Sequence, residues 1–365
     1  MKIKKILLIL LVVCVLAITI GQISASENNM EISPSNEVGN FTELNNLIQV
    51  NDVVDLDKDY KAVEGENQIV VNKDLTINGN DHVIDADGKC RIFVVKNYVI
   101  LTLKNITLMN GYSEDDGGAI YSTSSINLIF KEGVVFFNNY GLWGGAIYSD
   151  NNIYINVENN VNFNNNHAGG YGGAIGIAKG SALGNKVIIK GEGDVSFTNN
   201  SASSGGGAIF INGGGIINIT GIKNVIFMNN KADKGGVISS YGHVTINAPI
   251  INFSNNKASG YGGAIYTHFN VDINGSELHF INNTCVASYG GAIYSKELKI
   301  YSYNLFFNNN IANKGGAIYS SRNIFNITNE LIFNNNEAFK SGGAIYIDSG
   351  GSFFGNINKL GLSIN

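Results

Sequence analysis

Paired carboxylates can serve as acid and base on a glycosidic bond, and spaced ones can hold Ca²⁺, so the acidic groups are the first places to look for chemistry. Asp55, Asp57, Asp59 and Glu66 have the spacing of ligands in a Ca²⁺ loop. Tyr60, however, stands where such a loop needs a glycine, and Leu56 belongs to a strand-like run, so the match reads as coincidence. Asp85-Ala86-Asp87-Gly88 with Arg91 reads as a turn carrying a local ion pair, and Glu114-Asp115-Asp116 as a solvated turn. His82, His167, His243, His268 and His279 show no metal-ligand spacing. No catalytic residue, metal site or cofactor is assigned on these residues.

The stronger candidates are aromatic, and they recur. Tyr121, Tyr148, Tyr266, Tyr294, Tyr319 and Tyr346 share one repeated position, which elsewhere holds Gly176, Phe210 and Ser239. Acceptance of glycine and serine argues that this position faces outward. Trp143, Tyr171, Tyr261 and Tyr289 add rings shortly before it. An exposed ladder of this kind, flanked by asparagine amides, could hold an extended glycan by ring stacking, or a partner protein. The plainer role for the same rings is cross-strand packing.

The repeated position belongs to a nine-fold array. Gly-Gly-Ala-Ile segments or close variants begin at Gly117, Gly144, Gly172, Gly206, Gly235, Gly262, Gly290, Gly315 and Gly342, a spacing that belongs to solenoids. Upstream of each lies a phenylalanine followed three residues later by asparagine, as in Phe163/Asn166 and Phe253/Asn256. The first copy departs, with Leu108 and Gly111.

Alternation at Ile153, Ile155 and Val157, and again at Val161 and Phe163, is strand patterning, and no unit sustains helical spacing. The copy starting at Gly144 therefore reads as strands over 146–149, 153–157 and 161–163, with an Asn-rich corner leading to the next Gly-Gly. Three strands and three corners make one turn of a parallel β-helix. Sparse leucine argues against leucine-rich repeats, and the missing hexapeptide register disfavours a left-handed β-helix. In the resulting stack each residue sits on its equivalent about 4.8 Å away. The isoleucines from Ile120 to Ile345 then form one inward column and the phenylalanines another. The corner asparagines can link their amides into ladders, and the Gly-Gly pair suits a positive φ or a close backbone approach.

Residues 1–25 have the form of an export signal, with Lys2, Lys4 and Lys5 ahead of an apolar run and small residues after it. Losing those lysines would make the formal net charge of −5 more negative still, which argues against nucleic acid as a partner. Cys90 and Cys285 fall about seven coils apart, on the order of 34 Å, too far for a disulfide. Residues 26–40 read as a linker and 41–110 as a cap with irregular first coils, leaving 111–365 for the array. In the cap, Phe41, Leu44, Leu47 and Ile48 share a helical face with Asn40 as N-cap, and that helix would close the open end of the apolar core.

The paired GGAI and FxxN repeats resemble those of the chlamydial polymorphic outer-membrane proteins. The fuller pattern is similar to the adhesin-like β-helix proteins of methanogenic archaea. It includes the helix at Phe41, the stretch from Ile77-Asn78-Gly79 to Val83-Ile84-Asp85, Arg91-Ile92-Phe93, and Leu103-Lys104-Asn105-Ile106-Thr107. The resemblance implies a right-handed single-stranded parallel β-helix, exported, displayed at the cell surface and used in attachment to an extracellular glycan or surface protein. The competing class is a β-helix polysaccharide lyase or glycoside hydrolase. Such enzymes need carboxylates on neighbouring coils of one face, and acids do not recur in register here. Residues 350–365 carry neither the β-barrel nor the further surface domains of those families. A core left uncovered there is expected to self-associate or take a partner.

Overall fold

The computed structural model describes residues 37–96, 98–177, 184–354 and 359–364. The expected export signal and most of the linker lie outside the described residues. From Val38 the chain forms one short helix and then a parallel β-solenoid of about 11 turns. Like residues stack on like: Phe163 pairs with Phe136 on one side and Phe197 on the other, and Ile153 with Ile126 and Val187. Leu108 takes the phenylalanine position in the first copy, opposite Phe136.

The inward columns follow from this register. The isoleucines from Ile120 to Ile318 are buried, and Ile345 is partly so. The phenylalanine rings stack continuously from Phe136 to Phe333, with centroids between 4.6 Å at Phe280–Phe307 and 5.3 Å at Phe197–Phe227. Burying each such side chain contributes roughly 1.5–3 kcal/mol against the entropy of ordering the chain. Pro249, which has no N–H to give a ladder, sits between the strands Val244–Asn247 and Ile250–Ser254.

At each Gly-Gly corner the first glycine has a positive φ, +60° at Gly262, and in every corner but the last, at Gly343, the second is packed too tightly for any side chain. A Cβ on Gly263 would lie 1.9 Å from the carbonyl oxygen of Gly291 in the next coil. Cys90 and Cys285 are free thiols, as their separation requires.

Each regular coil has a fourth short strand where a corner is expected. His167–Tyr171 and Lys257–Tyr261, for example, pair only with their equivalents above and below, in a sheet separate from the core strands. The asparagine doublet creates this strand. Its first member adopts a left-handed conformation, φ +57° at Asn165, and turns the chain; its second, Asn166, points into the interior and is buried.

The helix Phe41–Val50 begins at Asn40, whose Oδ1 accepts from the Glu43 N–H at 2.8 Å. Phe41, Leu44 and Ile48 enter the core and close its end, whereas Leu47 is 38% exposed. The expected four-residue face is thus corrected to three, because the end of a narrow coil receives only a single stripe of the helix.

Candidate functional site

The repeated tyrosine position lies on the face of its strand opposite the isoleucine column, as alternation demands. Four of its rings stand on successive coils: Tyr266–Tyr294, Tyr294–Tyr319 and Tyr319–Tyr346 have centroids 5.4, 5.2 and 5.0 Å apart. Tyr121 and Tyr148 form a separate stacked pair at 5.8 Å. Gly176 and Ser239 interrupt the column between these groups.

Outward does not mean exposed, and here the sequence expectation is corrected. Tyr148 and Tyr266 are buried, as are Phe210 and Ser239, while Tyr121, Tyr294, Tyr319 and Tyr346 are half-buried. The cover comes from the fourth strand of each coil, whose last residue leans over the column. Trp143 meets Tyr171 at 5.1 Å and Phe210 at 6.2 Å. Tyr261 lies 5.7 Å from Tyr266 and 5.3 Å from Tyr294, and Tyr289 stacks on Tyr319 at 4.8 Å. Glycine at 176 reports this crowding and not exposure, since a Cβ there would stand 2.7 Å from the backbone nitrogen of Gly144.

The half-buried rings form a strip that carries cations and neutral phenols. Lys314 Nζ lies 5.4 Å from the Tyr289 ring centre and 5.2 Å from that of Tyr346, and Lys234 approaches Tyr266 at 5.8 Å. The Tyr266 hydroxyl meets His268 Nε2 at 2.6 Å, and the Tyr319 hydroxyl donates to Asp348 at 2.9 Å. Burial pushes the phenols of Tyr266, Tyr294 and Tyr319 above their ordinary values, with neighbouring tyrosines and, at Tyr319, Asp348 adding to it. These rings are therefore hydrogen-bond donors and stacking surfaces, not phenolate nucleophiles.

The acidic groups have other employment. Glu66 accepts from the N–H groups of Phe41, Thr42 and Val63 and from the Thr42 hydroxyl, at 2.6 to 3.1 Å, so it anchors the start of the capping helix. Asp55 takes Asn78, and Asp59 takes His82 and the Val83 N–H. Asp87 pairs with Lys61 and Lys89.

Arg91 departs from the expected local ion pair with Asp85 or Asp87. It donates to the carbonyls of Asp116 and Gly117 at 2.7 Å and to the Ser113 hydroxyl at 2.8 Å, with its guanidinium 4.7 Å from the Tyr121 ring centre. Asp116 is buried under this clamp, so only Glu114 and Asp115 are solvated. A further group of paired charges lies later, on coils the sequence reading passed over. Glu297 binds Lys299 at 2.6 Å and Arg322 at 3.5 Å, and Glu277 faces His279 at 3.5 Å. Glu277 and Glu330 share one column, but Asn304 stands between them.

A second set of rings, Tyr112, Tyr140 and His167, lies at the start of the fourth strand and was missed because that strand was read as a corner. The signal was present in Tyr140 and His167, each directly after an asparagine doublet, and in Tyr112 after Asn110-Gly111.

A family model for the Chlamydia polymorphic membrane protein (Chlamydia_PMP) repeat matches residues 133–150, 194–212, 250–268, 277–296, 304–321 and 330–348. Every matched segment runs from the phenylalanine strand through the asparagine doublet to the Gly-Gly strand. No curated protein and no solved structure matches the chain.

Proposed function

We propose that this chain is an exported, surface-displayed attachment rod that binds an extracellular glycan or a surface protein without turning it over. The observation that carries the reading is the strip Tyr266–Tyr294–Tyr319–Tyr346, four stacked rings on consecutive coils with Lys314 over the last of them. Such a strip repeats one weak contact along a rigid axis, which is the arrangement multivalent binding uses. The matched repeats support the setting, since the family is named for membrane proteins. The net charge of −5 argues against nucleic acid as the partner.

The competing reading is a β-helix polysaccharide lyase or glycoside hydrolase. Incubation of the chain with pectins, alginates and host glycans, with and without Ca²⁺, separates the two. Retention on the polymer without product supports attachment; a new reducing end or an unsaturated product overturns it. A Tyr294→Ala/Tyr319→Ala double variant is expected to lose retention.

A further inference from the structure

The rings at the start of the fourth strand line an open cleft of about 460 Å³ near the capped end of the solenoid. One wall is a row of rings on successive coils. Tyr112 stacks on Tyr140 at 5.2 Å with planes 15° apart, and Tyr140 meets His167 at 5.5 Å. Tyr112 is 39% exposed.

Two residues before the rings in each coil runs a row of amides. Asn110 Nδ2 donates to Asp85 at 2.8 Å, Asn138 Nδ2 to Asn110 Oδ1 at 2.7 Å, and Asn165 Nδ2 to Asn138 Oδ1 at 3.0 Å. An amide has two N–H hydrogens and two oxygen lone pairs, and this ladder uses one of each. Asn110 and Asn138 therefore keep a donor and an acceptor apiece at the cleft surface. Asp87 adds a carboxylate at the end, which hydrogen bonds from Lys61 and then Lys89 hold below its ordinary range.

Packing of the solenoid does not require the rings. Along the same column the positions after His167 are Ser201, Lys231 and Lys257, and the strand stack continues through them undisturbed. The rings are thus concentrated where the cleft is, over three coils.

We infer that this cleft is a binding site for a short stretch of neutral oligosaccharide, its sugar rings lying on Tyr112 and Tyr140 and its hydroxyls bonded to Asn110 and Asn138. Hydroxyl groups both donate and accept, which is what the leftover amide valences offer, and the C–H faces of a sugar suit an aromatic platform. Nucleobases would also stack on the rings, but a nucleic acid strand needs cations along its phosphates. The lining contains no lysine or arginine, and Lys61 and Lys89 beside it are already paired with Asp87, so the cleft offers no row of cations to phosphates or to the carboxylates of an acidic polysaccharide. The site is separate from the Tyr266–Tyr346 strip. It shares with the attachment reading a glycan ligand, and it stands whether or not a bound oligomer is turned over.

The chain's single tryptophan, Trp143, lies in the same short strand as Tyr140 and gives a local readout. The purified full chain is titrated with glucan, mannan, galactan and N-acetylglucosamine oligomers, and with oligogalacturonate, while Trp143 emission is followed. A saturable change is expected with at least one neutral oligomer. Tyr140→Ala should weaken it about tenfold or more, whereas Tyr140→Phe, which keeps the ring, should stay within about threefold of the original. Thermal unfolding checks that each variant is folded. Tyr112→Ala, at the exposed ring of the platform, is the substitute should Tyr140→Ala fail to fold, and the same weakening is expected of it.

Absence of any neutral ligand, a preference for oligogalacturonate, or equal affinity in a folded Tyr140→Ala variant would each overturn the inference. Loss of binding in Tyr319→Ala but not in Tyr140→Ala would also overturn it while leaving the proposed function standing. Cleavage of a bound oligomer would overturn the attachment reading and leave the cleft assignment intact.

Discussion

Asn256 Nδ2 donates to Asn283 Oδ1 at 3.0 Å and to the carbonyl of Phe227 at 3.0 Å, while Asn256 Oδ1 accepts both the backbone N–H and the Nδ2 of Asn230. All four hydrogen bonds of that amide are made inside the protein. The same pattern runs from Asn166 to Asn310, joining every coil to those on either side of it. A buried polar network in which every member is satisfied can be rigid without the penalty of an orphaned group.

Removing one rung should therefore be costly. Asn256→Ala leaves the buried N–H of Asn230 and the Phe227 carbonyl without their partner, and each orphan costs about 1–3 kcal/mol. Its neighbour Asn255 is exposed with φ +57°, so Asn255→Ala should cost about 1–2 kcal/mol from the left-handed backbone, and Asn255→Gly much less. Urea unfolding of the three variants gives this order, Asn256→Ala worst.

The core and the tyrosine strip should rank by burial. Phe253→Ala removes a ring stacked on Phe227 and Phe280 and is expected to cost roughly 3–5 kcal/mol. Tyr266 is outside the core but covered by Tyr261, so Tyr266→Ala should cost about 1.5–3 kcal/mol. Half-buried Tyr319 should cost less again. Denaturation midpoints at constant slope test the ranking, and a Tyr319→Ala loss equal to that of Phe253→Ala would contradict it.

How much of this was legible in the sequence depended on whether a residue's environment was made by its own column. Phe253 stacks on Phe227 and Phe280, and Ile265 on Ile238 and Ile293, so repetition alone reveals that both face inward. The cover on Tyr266 comes from Tyr261 on a different strand, and no pattern at position 266 records it. The fourth strand was hidden for a related reason. His167 to Tyr171 lacks strand alternation, being mostly small residues, and its pairing is set by the left-handed turn at Asn165. Glu66 reaches back to the helix at Phe41, a contact set by the coil and invisible in local spacing.

Gly263, in a Gly-Gly corner, and Gly65, in a turn of the first coils, should fail differently on substitution. Gly263→Ala places a Cβ against the backbone of the next coil, and backbone cannot move aside as a side chain can, so a loss of about 3 kcal/mol or more is expected. Gly65 has φ +85° with nothing within 4 Å of a built Cβ, so Gly65→Ala should cost only the backbone strain, about 1–2 kcal/mol. Comparable losses in calorimetry would mean that the Gly-Gly corner can relax.

The capping helix should loosen in acid, and Glu66 sets the sign. Burial pushes its carboxyl up, but the Thr42 hydroxyl and the N–H groups of Val63, Thr42 and Phe41 together outweigh that and hold it below the ordinary value. A carboxyl whose folded value is depressed stabilises the fold fully above its unfolded value of about 4.3, and that contribution disappears as pH falls through the folded value beneath it. Amide exchange at Phe41 and Thr42 should therefore quicken as pH drops through that window, beyond the intrinsic pH dependence of exchange, while amides in the Phe253 column stay protected. Glu66→Gln keeps an acceptor but has nothing to titrate, so its Phe41 and Thr42 amides should lose this extra dependence and exchange faster at neutral pH. Identical acid profiles in the two proteins would assign the loosening to another carboxylate.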